Sequence, residues 1–184
     1  MTKLIKSGIA LLIFPMAINV QAQKKAITIT SKVTIEASQA ETFNLLRSLE
    51  RFPEWSPFVV TDPEQKNHVT GVNGELGSTF HWQGVAEKSE GFQRLVAMKD
   101  HAYLRMECQI AKPYKSQPVF EYQLSEKAEG VEVIQTFTLE SSGFSRFMMG
   151  LFGVKKKMSA MNQLGMDRLK ALLEKKNAEI TPLQ

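Results

Sequence analysis

Apolar and polar residues alternate along 27–36 (ITITSKVTIE), a β-branched run that predicts a first strand. Ser38-Gln39-Ala40-Glu41 follows with capping-box spacing, in which Ser38 and Glu41 each satisfy a donor at a helix start. Ala40, Phe43, Leu46 and Leu49 then recur at helical spacing and give that helix one apolar face. Residues 45–63 (LLRSLERFPEWSPFVVTDP) set Phe52 and Trp55 between a helical pattern and a strand-like run, with Pro53 and Pro57 locking them. Proline fixes φ and turns the preceding residue away from helix, so the chain must kink here while carrying a large apolar load. A wedge or lid packed against a cavity uses a tryptophan in this way, whereas a solvated loop does not.

From Val59 the period becomes that of strands. Residues 59–61 and 68–72 are weak examples, and 78–83, 91–98, 103–110, 119–124 and 131–139 are stronger ones. Turn signals at Lys99-Asp100, Lys112-Pro113 and Glu129-Gly130 separate the later runs at hairpin distances, which predicts an antiparallel meander. The period changes once more near Ser142. A short helix is expected from Phe144, a break at Gly150 and Gly153, and a longer helix from Val154 to about Asn177, about 35 Å long. Met158, Met161, Gly165, Leu169 and Leu172 make its apolar stripe. A sheet and a helix must each bury one face, so the economical packing curls the sheet around the terminal helix and leaves a cavity where side chains do not meet.

The first 22 residues stand apart. Lys3 and Lys6 precede an apolar run over 8–20, and Val20-Gln21-Ala22 has the small residues of a signal-peptidase site. The run is shorter than a membrane span and contains Pro15 and Asn19. The expectation is an exported protein, periplasmic or secreted, with a single domain over 23–184; the alternative is an uncleaved membrane anchor. Residues 1–22 hold no acid, so losing Lys3 and Lys6 takes the formal charge from +4 to +2. That balance gives no argument for nucleic acid, and no RNA-binding, zinc-ligand or helix-turn-helix pattern supplies one. Cys108 is the only cysteine, so an oxidising compartment offers the fold no internal disulfide. The 43% of hydrophobic residues must make the core instead.

Residues 49–57 (LERFPEWSP) with Asp62-Pro63, 77–84 (GSTFHWQG), Lys112-Pro113 and a C-terminal Gly165…Leu169-Lys170 form a set. Together with the order of elements, they resemble the SRPBCC superfamily, in the branch of polyketide cyclases, dehydrases and lipid-transport proteins. The likeness runs from about Val33 to Glu174. It implies an α+β helix-grip fold: a curved antiparallel sheet wrapped around a long C-terminal helix, with two short helices after the first strand. The same fold hosts binders, transfer proteins and enzymes. Two departures stand out. The segment 88–92 reads KSEGF where the family often has a second glycine and an acid, and Gln135 stands where it often has tryptophan.

Gln135 shares parity with Val131, Val133, Phe137 and Leu139, so its amide is expected to point inward. It either orients a ligand oxygen or is a core glutamine bonded to backbone or water. His68, His81 and His101 lie on separate segments without metal-ligand spacing, and His81 has the solvent-facing parity. Cys108 reads as a small buried hydrophobe. Glu107, Glu121 and Glu132 fall on the outer face, leaving no visible acid/base pair and no cofactor motif. Residues from Phe144 to Met158 combine apolar side chains with Lys155, Lys156 and Lys157. They read either as ordinary packing across the cavity mouth or as a transient membrane contact.

The resulting expectation is a binder, or carrier, of a small hydrophobic or lipid-like ligand. Its wall is Phe80, Trp82, Met106, Cys108, Phe120, Tyr122, Gln135 and Phe137, faced by Met161 and Gly165, with Phe52, Trp55 and Phe58 at the rim. The apolar residues of 91–98 fall on both parities, so no wall residue is named there. A cyclase or dehydrase acting on an aromatic or polyketide-like substrate is the alternative, and an envelope interaction module the third. N-terminal sequencing of the exported protein is expected to begin at Gln23. A chain that keeps Met1 and fractionates with membranes identifies an anchor.

Overall fold

The computed structural model of the chain describes residues 25–86, 88–141 and 153–180. The expected signal segment 1–22 and the short helix expected from Phe144 lie outside the described residues. The elements run β1 (Lys25–Ile35), α1 (Gln39–Arg47), α2 (Phe52–Trp55), α3 (Pro57–Thr61), β2 (Lys66–Thr70) and β3 (Thr79–Gln83). They continue with β4 (Glu90–Lys99), β5 (Tyr103–Lys112), β6 (Pro118–Lys127), β7 (Gly130–Ser141) and α4 (Val154–Ile180). All seven strands join one antiparallel sheet in the order β1-β7-β6-β5-β4-β3-β2. This is the helix-grip architecture: the sheet holds the long terminal helix, and α4 packs on β1, α2 and α3.

Local sequence explains the elements. Ser38 accepts the Glu41 N–H at 3.1 Å and caps α1, which buries Phe43, Leu45 and Leu46. Residues 59–61, expected as a weak strand, form the end of α3 instead, so three helical pieces follow β1 rather than two. Pro57 opens that piece, and a proline in the first turn lacks only an N–H that would be orphaned there anyway. The strand expected at 68–72 is shifted to Lys66–Thr70 and stops before Gly71, whose φ of +82° is left-handed.

Strand pairing defines two ends. Lys25 faces Ser141, Pro118 faces Leu139, Gly91 faces Ile110 and Lys66 faces Gln83 at one of them. At the other, Ile35 faces Val131, Lys127 faces Gly130 and Lys99 faces Tyr103. Lys170 Nζ donates to the Thr34 carbonyl at 2.7 Å, and Glu174 Oε1 accepts the Glu36 N–H at 3.0 Å. These bonds hold the C-terminal half of α4 at the second end. The interior is tight there: Ile35, Leu104, Val131, Val133, Met166 and Leu169 are fully buried. Towards the first end the inward-facing Ile27, Trp82, Ile110, Leu139, Met158 and Met161 are only half-buried. The grip is closed at one end and open at the other.

Gly91 lies on the open half beneath Trp82. A Cβ at this position would sit 2.6 Å from Trp82 Cζ2 and 2.3 Å from the Gln109 carbonyl oxygen. Backbone cannot yield as a flexible side chain does, so Gly91→Ala is expected to cost about 1–3 kcal/mol in urea melts and to tilt the Trp82 ring, read by its fluorescence.

Candidate functional site

The candidate site is the open half of the grip, built on the inward-facing residues of six strands. Register places Phe80 opposite Gln93 and Gln93 opposite Cys108 across β3, β4 and β5. A second row runs Leu95, Met106, Phe120, Phe137 and Ile29. A third sets Tyr122 between Leu104 and Gln135, with Ser31 beyond. All eight expected wall residues point inward, and all but the half-buried Trp82 are buried. Gly165 is buried opposite them and Met161 is half-buried. A Cβ on Gly165 would meet Pro57 Cδ at 3.1 Å, so the glycine lets α3 lie close against α4.

The three residues expected at the rim separate. Phe58 is 36% exposed and Phe52 is half-buried, but Trp55 is only 2% exposed. The four-residue turn of α2 sends the indole inward, where it meets Tyr122 edge-on at 6.3 Å between ring centroids. Phe52 packs edge-on against both Trp55 (5.0 Å) and Phe80 (5.1 Å). Trp55 is therefore an interior residue and not a rim residue. Arg168 on α4 secures this turn by donating to the Glu54 carbonyl at 3.0 Å.

Polar atoms set the chemistry of the interior. Gln135 Nε2 donates to the Tyr122 hydroxyl oxygen at 3.0 Å, which leaves the phenolic O–H free to donate. Gln135 Oε1, Gln93 Nε2, Trp55 Nε1 and Asn162 Nδ2 are buried and have no hydrogen-bond partner within the protein. A buried unsatisfied group costs about 1–3 kcal/mol, so these unpartnered amides single out interior positions that a bound molecule or water would satisfy. Burial pushes the Tyr122 phenol well above its usual range, a shift that the Gln135 hydrogen bond opposes. The Cys108 thiol is pushed up to about 12 by burial alone.

Gln93 and Asn162 did not emerge from the sequence. An irregularity between Leu95 and Ala97 shifts the register of β4 and puts apolar residues on both of its parities. Asn162 shares the buried stripe of α4 with Gly165, Met166, Leu169 and Leu173, while the expected Met158, Met161 and Leu172 flank it half-buried. Its position four residues before Met166 and seven before Leu169 was the available signal. Asp62 is a further buried polar residue. Its Oδ2 accepts the Val85 and Ala86 N–H groups at 2.8 and 3.2 Å and ties the end of α3 to the β3–β4 turn.

The outward residues are placed as their parity implied. His68 and His81 stack at 4.7 Å on the outer face, and His81 Nε2 is 3.0 Å from Thr70 Oγ1. Burial, then the neighbouring His68 and Arg94 charges, lowers the His81 pKa. Glu107 pairs with Arg105, Glu121 with Arg105 and Tyr103, and Glu132 with Lys32 and Lys127. Among the described residues no group of three metal-ligating side chains occurs. Beyond Glu107 strands β5 and β6 part, and only an isolated Ile110–Ser116 bridge joins them. The gap opens a cleft of about 1050 Å³ lined by residues that include Phe92, Arg94, Val119 and Thr138, with Cys108 among them.

The family model for polyketide cyclase / dehydrase and lipid transport matches residues 26–174. The chain belongs to this family. A search of curated proteins by sequence finds no match. Among solved structures, a Staphylococcus aureus protein of unknown function aligns over 85% of this chain and 98% of its own, with TM-score 0.64 and 10% identity. The di-domain ARO/CYC StfQ from the steffimycin biosynthetic pathway aligns over 83% and 52%, with TM-score 0.64 and 11% identity. A Chromobacterium violaceum protein aligns over 80% and 97%, with TM-score 0.59 and 11% identity. At these identities the likeness is one of fold, and what this polyketide cyclase family member does must be read from its own interior.

The Cys108 thiol is expected to stay protonated and shielded. Alkylation by iodoacetamide at pH 8 should be slow in the native protein and become fast on unfolding in urea, as counted by mass spectrometry.

Proposed function

We propose that this protein binds a small, largely apolar ligand bearing neutral oxygen or nitrogen groups in the open half of the grip. Buried, partnerless polar atoms on Trp55, Gln93, Gln135 and Asn162 support this reading most directly. Aromatic and aliphatic walls supply apolar area, and a few placed amides supply orientation, which is the usual composition of a small-molecule site. Three of the four partnerless atoms are N–H donors, and the Tyr122 hydroxyl adds a fourth donor. Carbonyl, ether and hydroxyl oxygens match such a set. None of the four residues is charged, so an ionised ligand head would enter without a counter-charge.

The protein performs this binding outside the cytoplasm, as a carrier or sensor, once residues 1–22 are removed; Lys3, Lys6, the apolar run and Val20-Gln21-Ala22 support that placement. A cyclisation reading has one specific support. The Tyr122 phenol is held protonated beside Gln135, inside a chamber whose fold also occurs in a protein named ARO/CYC. Binding requires only the groups described, whereas cyclisation also requires a base, so binding is the reading adopted.

Gln135→Leu separates an oriented site from a merely apolar one. With a matched probe pair, one bearing a carbonyl and one lacking it, the variant is expected to lose about tenfold of the preference for the carbonyl probe. Its melting temperature should hold or rise. A lower melting temperature with an unchanged preference makes Gln135 a core residue and removes its ligand role. Turnover of the carbonyl probe, seen by mass spectrometry, favours cyclisation.

A further inference from the structure

The β5–β6 pair is continuous in register and yet broken in its bonding. Glu107 faces Val119 and Ile110 faces Ser116, so no residue is inserted on either strand between these pairs. Ile110 and Ser116 exchange both of their N–H···O bonds, at 2.9 and 3.2 Å. Bonded pairs alternate along an antiparallel ladder, so Cys108 and Pro118 hold the next bonded position. Proline has no N–H, and the Cys108 carbonyl therefore receives nothing from Pro118. The strands part at this missing bond, which leaves the hairpin end, residues 110–118, clasped by the two Ile110–Ser116 bonds.

The cleft over this seam cuts into the thickness of the sheet. Most of its lining, Phe92, Arg94, Val119 and Thr138 included, has the outward parity of its strands. Cys108, Ile110 and Pro118 also line it, although they share the inward parity of Met106 and Phe120. Cys108 and Pro118 are buried and Ile110 is half-buried against the core. Opposite Cys108 across β4 and β5 stands Gln93, whose buried Nε2 has no partner within the protein. Next along β6 from Pro118, Phe120 meets Phe137 edge-on at 5.2 Å. The outer cleft and the interior thus share Cys108, Ile110 and Pro118 as a common wall.

We propose that this seam is a side passage into the open half of the grip, with residues 113–117 as its flap. Opening exchanges two backbone bonds for bonds to water, a local event far smaller than undoing a ladder. It parts the common wall and admits an apolar ligand past Phe92 and Val119 to Gln93. The contact of Pro57 on Gly165 stays in place meanwhile. The Arg105–Glu121 ion pair and the Tyr103–Glu121 bond join β5 to β6 just before the gap, so the opening stops there. The passage serves the ligand reading proposed above and rests on it.

The test uses the full chain and prodan, a neutral naphthalene dye with one ketone. Gln109 and Gln117 hold the non-bonded position between the clasp and Pro118, where cross-strand side chains approach closest. A disulfide in Q109C/Q117C, located by peptide mass spectrometry, pins the seam shut. In stopped-flow fluorescence the oxidised form is expected to bind and release prodan at least about tenfold more slowly, with Kd within about twofold. Reduction should restore both rates. Ser116→Pro removes one bond of the clasp and should raise both rates at least about threefold. Alkylation of Cys108 by iodoacetamide should quicken by about the same factor in that variant. Prodan rates indifferent to the disulfide overturn the passage alone, as do unchanged rates in Ser116→Pro with Cys108 still shielded. Failure of the unmodified chain to bind prodan at all overturns the ligand reading, and the passage with it.

Discussion

The place where the Pro57 ring of α3 lies on Gly165 of α4 governs the interior. Pro57 rests on Gly165, and any β-carbon there would have to push the two apart. That contact fixes the height of the short α2–α3 stretch above the sheet, and with it the depth of Trp55 against Tyr122. Arg168, one turn further along α4, bonds to the Glu54 carbonyl and holds the same stretch from its other side. Through Phe52 the constraint reaches Phe80 on β3. One residue without a side chain thus sets how closely Trp55 and Phe52 pack on the sheet.

The strands and the long helix were legible because their signals are periodic and repeated. Alternation in 103–110, 119–124 and 131–139 gave both the strands and their inward faces, since a two-residue period leaves no other assignment when one face is buried. The end of α3 was not legible. Val59 and Val60 have strand propensity, and only the docking of Pro57 on α4 overrides it. Trp55 was recognised as important but placed too shallow, because sequence shows that an indole must be buried and not in which direction a four-residue turn points it. Gln93 was hidden by the register shift in β4, and Asn162 by the richer methionine stripe beside it.

The interior carries neutral dipoles on Trp55, Gln93, Gln135 and Asn162. Glu107, Glu121 and Glu132 sit on the outer face of the sheet in ion pairs, and the inward Tyr122 and Cys108 are both shifted towards their protonated forms. On the proposed binding function, such an interior would select by shape and hydrogen-bonding pattern with little dependence on pH near neutrality. Its selectivity comes from leaving donors unpaired when the wrong molecule enters, which penalises a mismatch more than it rewards a match.

The order of the sheet leaves β1 and β2 as its two margins. An open margin is a template on which another chain can add a strand. At β2 the template is five residues long and bears Lys66 and the stacked His68, too short and too polar to hold a guest strand. At β1 it is eleven residues long, but α4 packs along it and Lys170 already occupies the Thr34 carbonyl. The helix that lines the chamber therefore also guards the sheet against self-association, and fraying of its C-terminal half would expose a sticky border before it emptied the pocket.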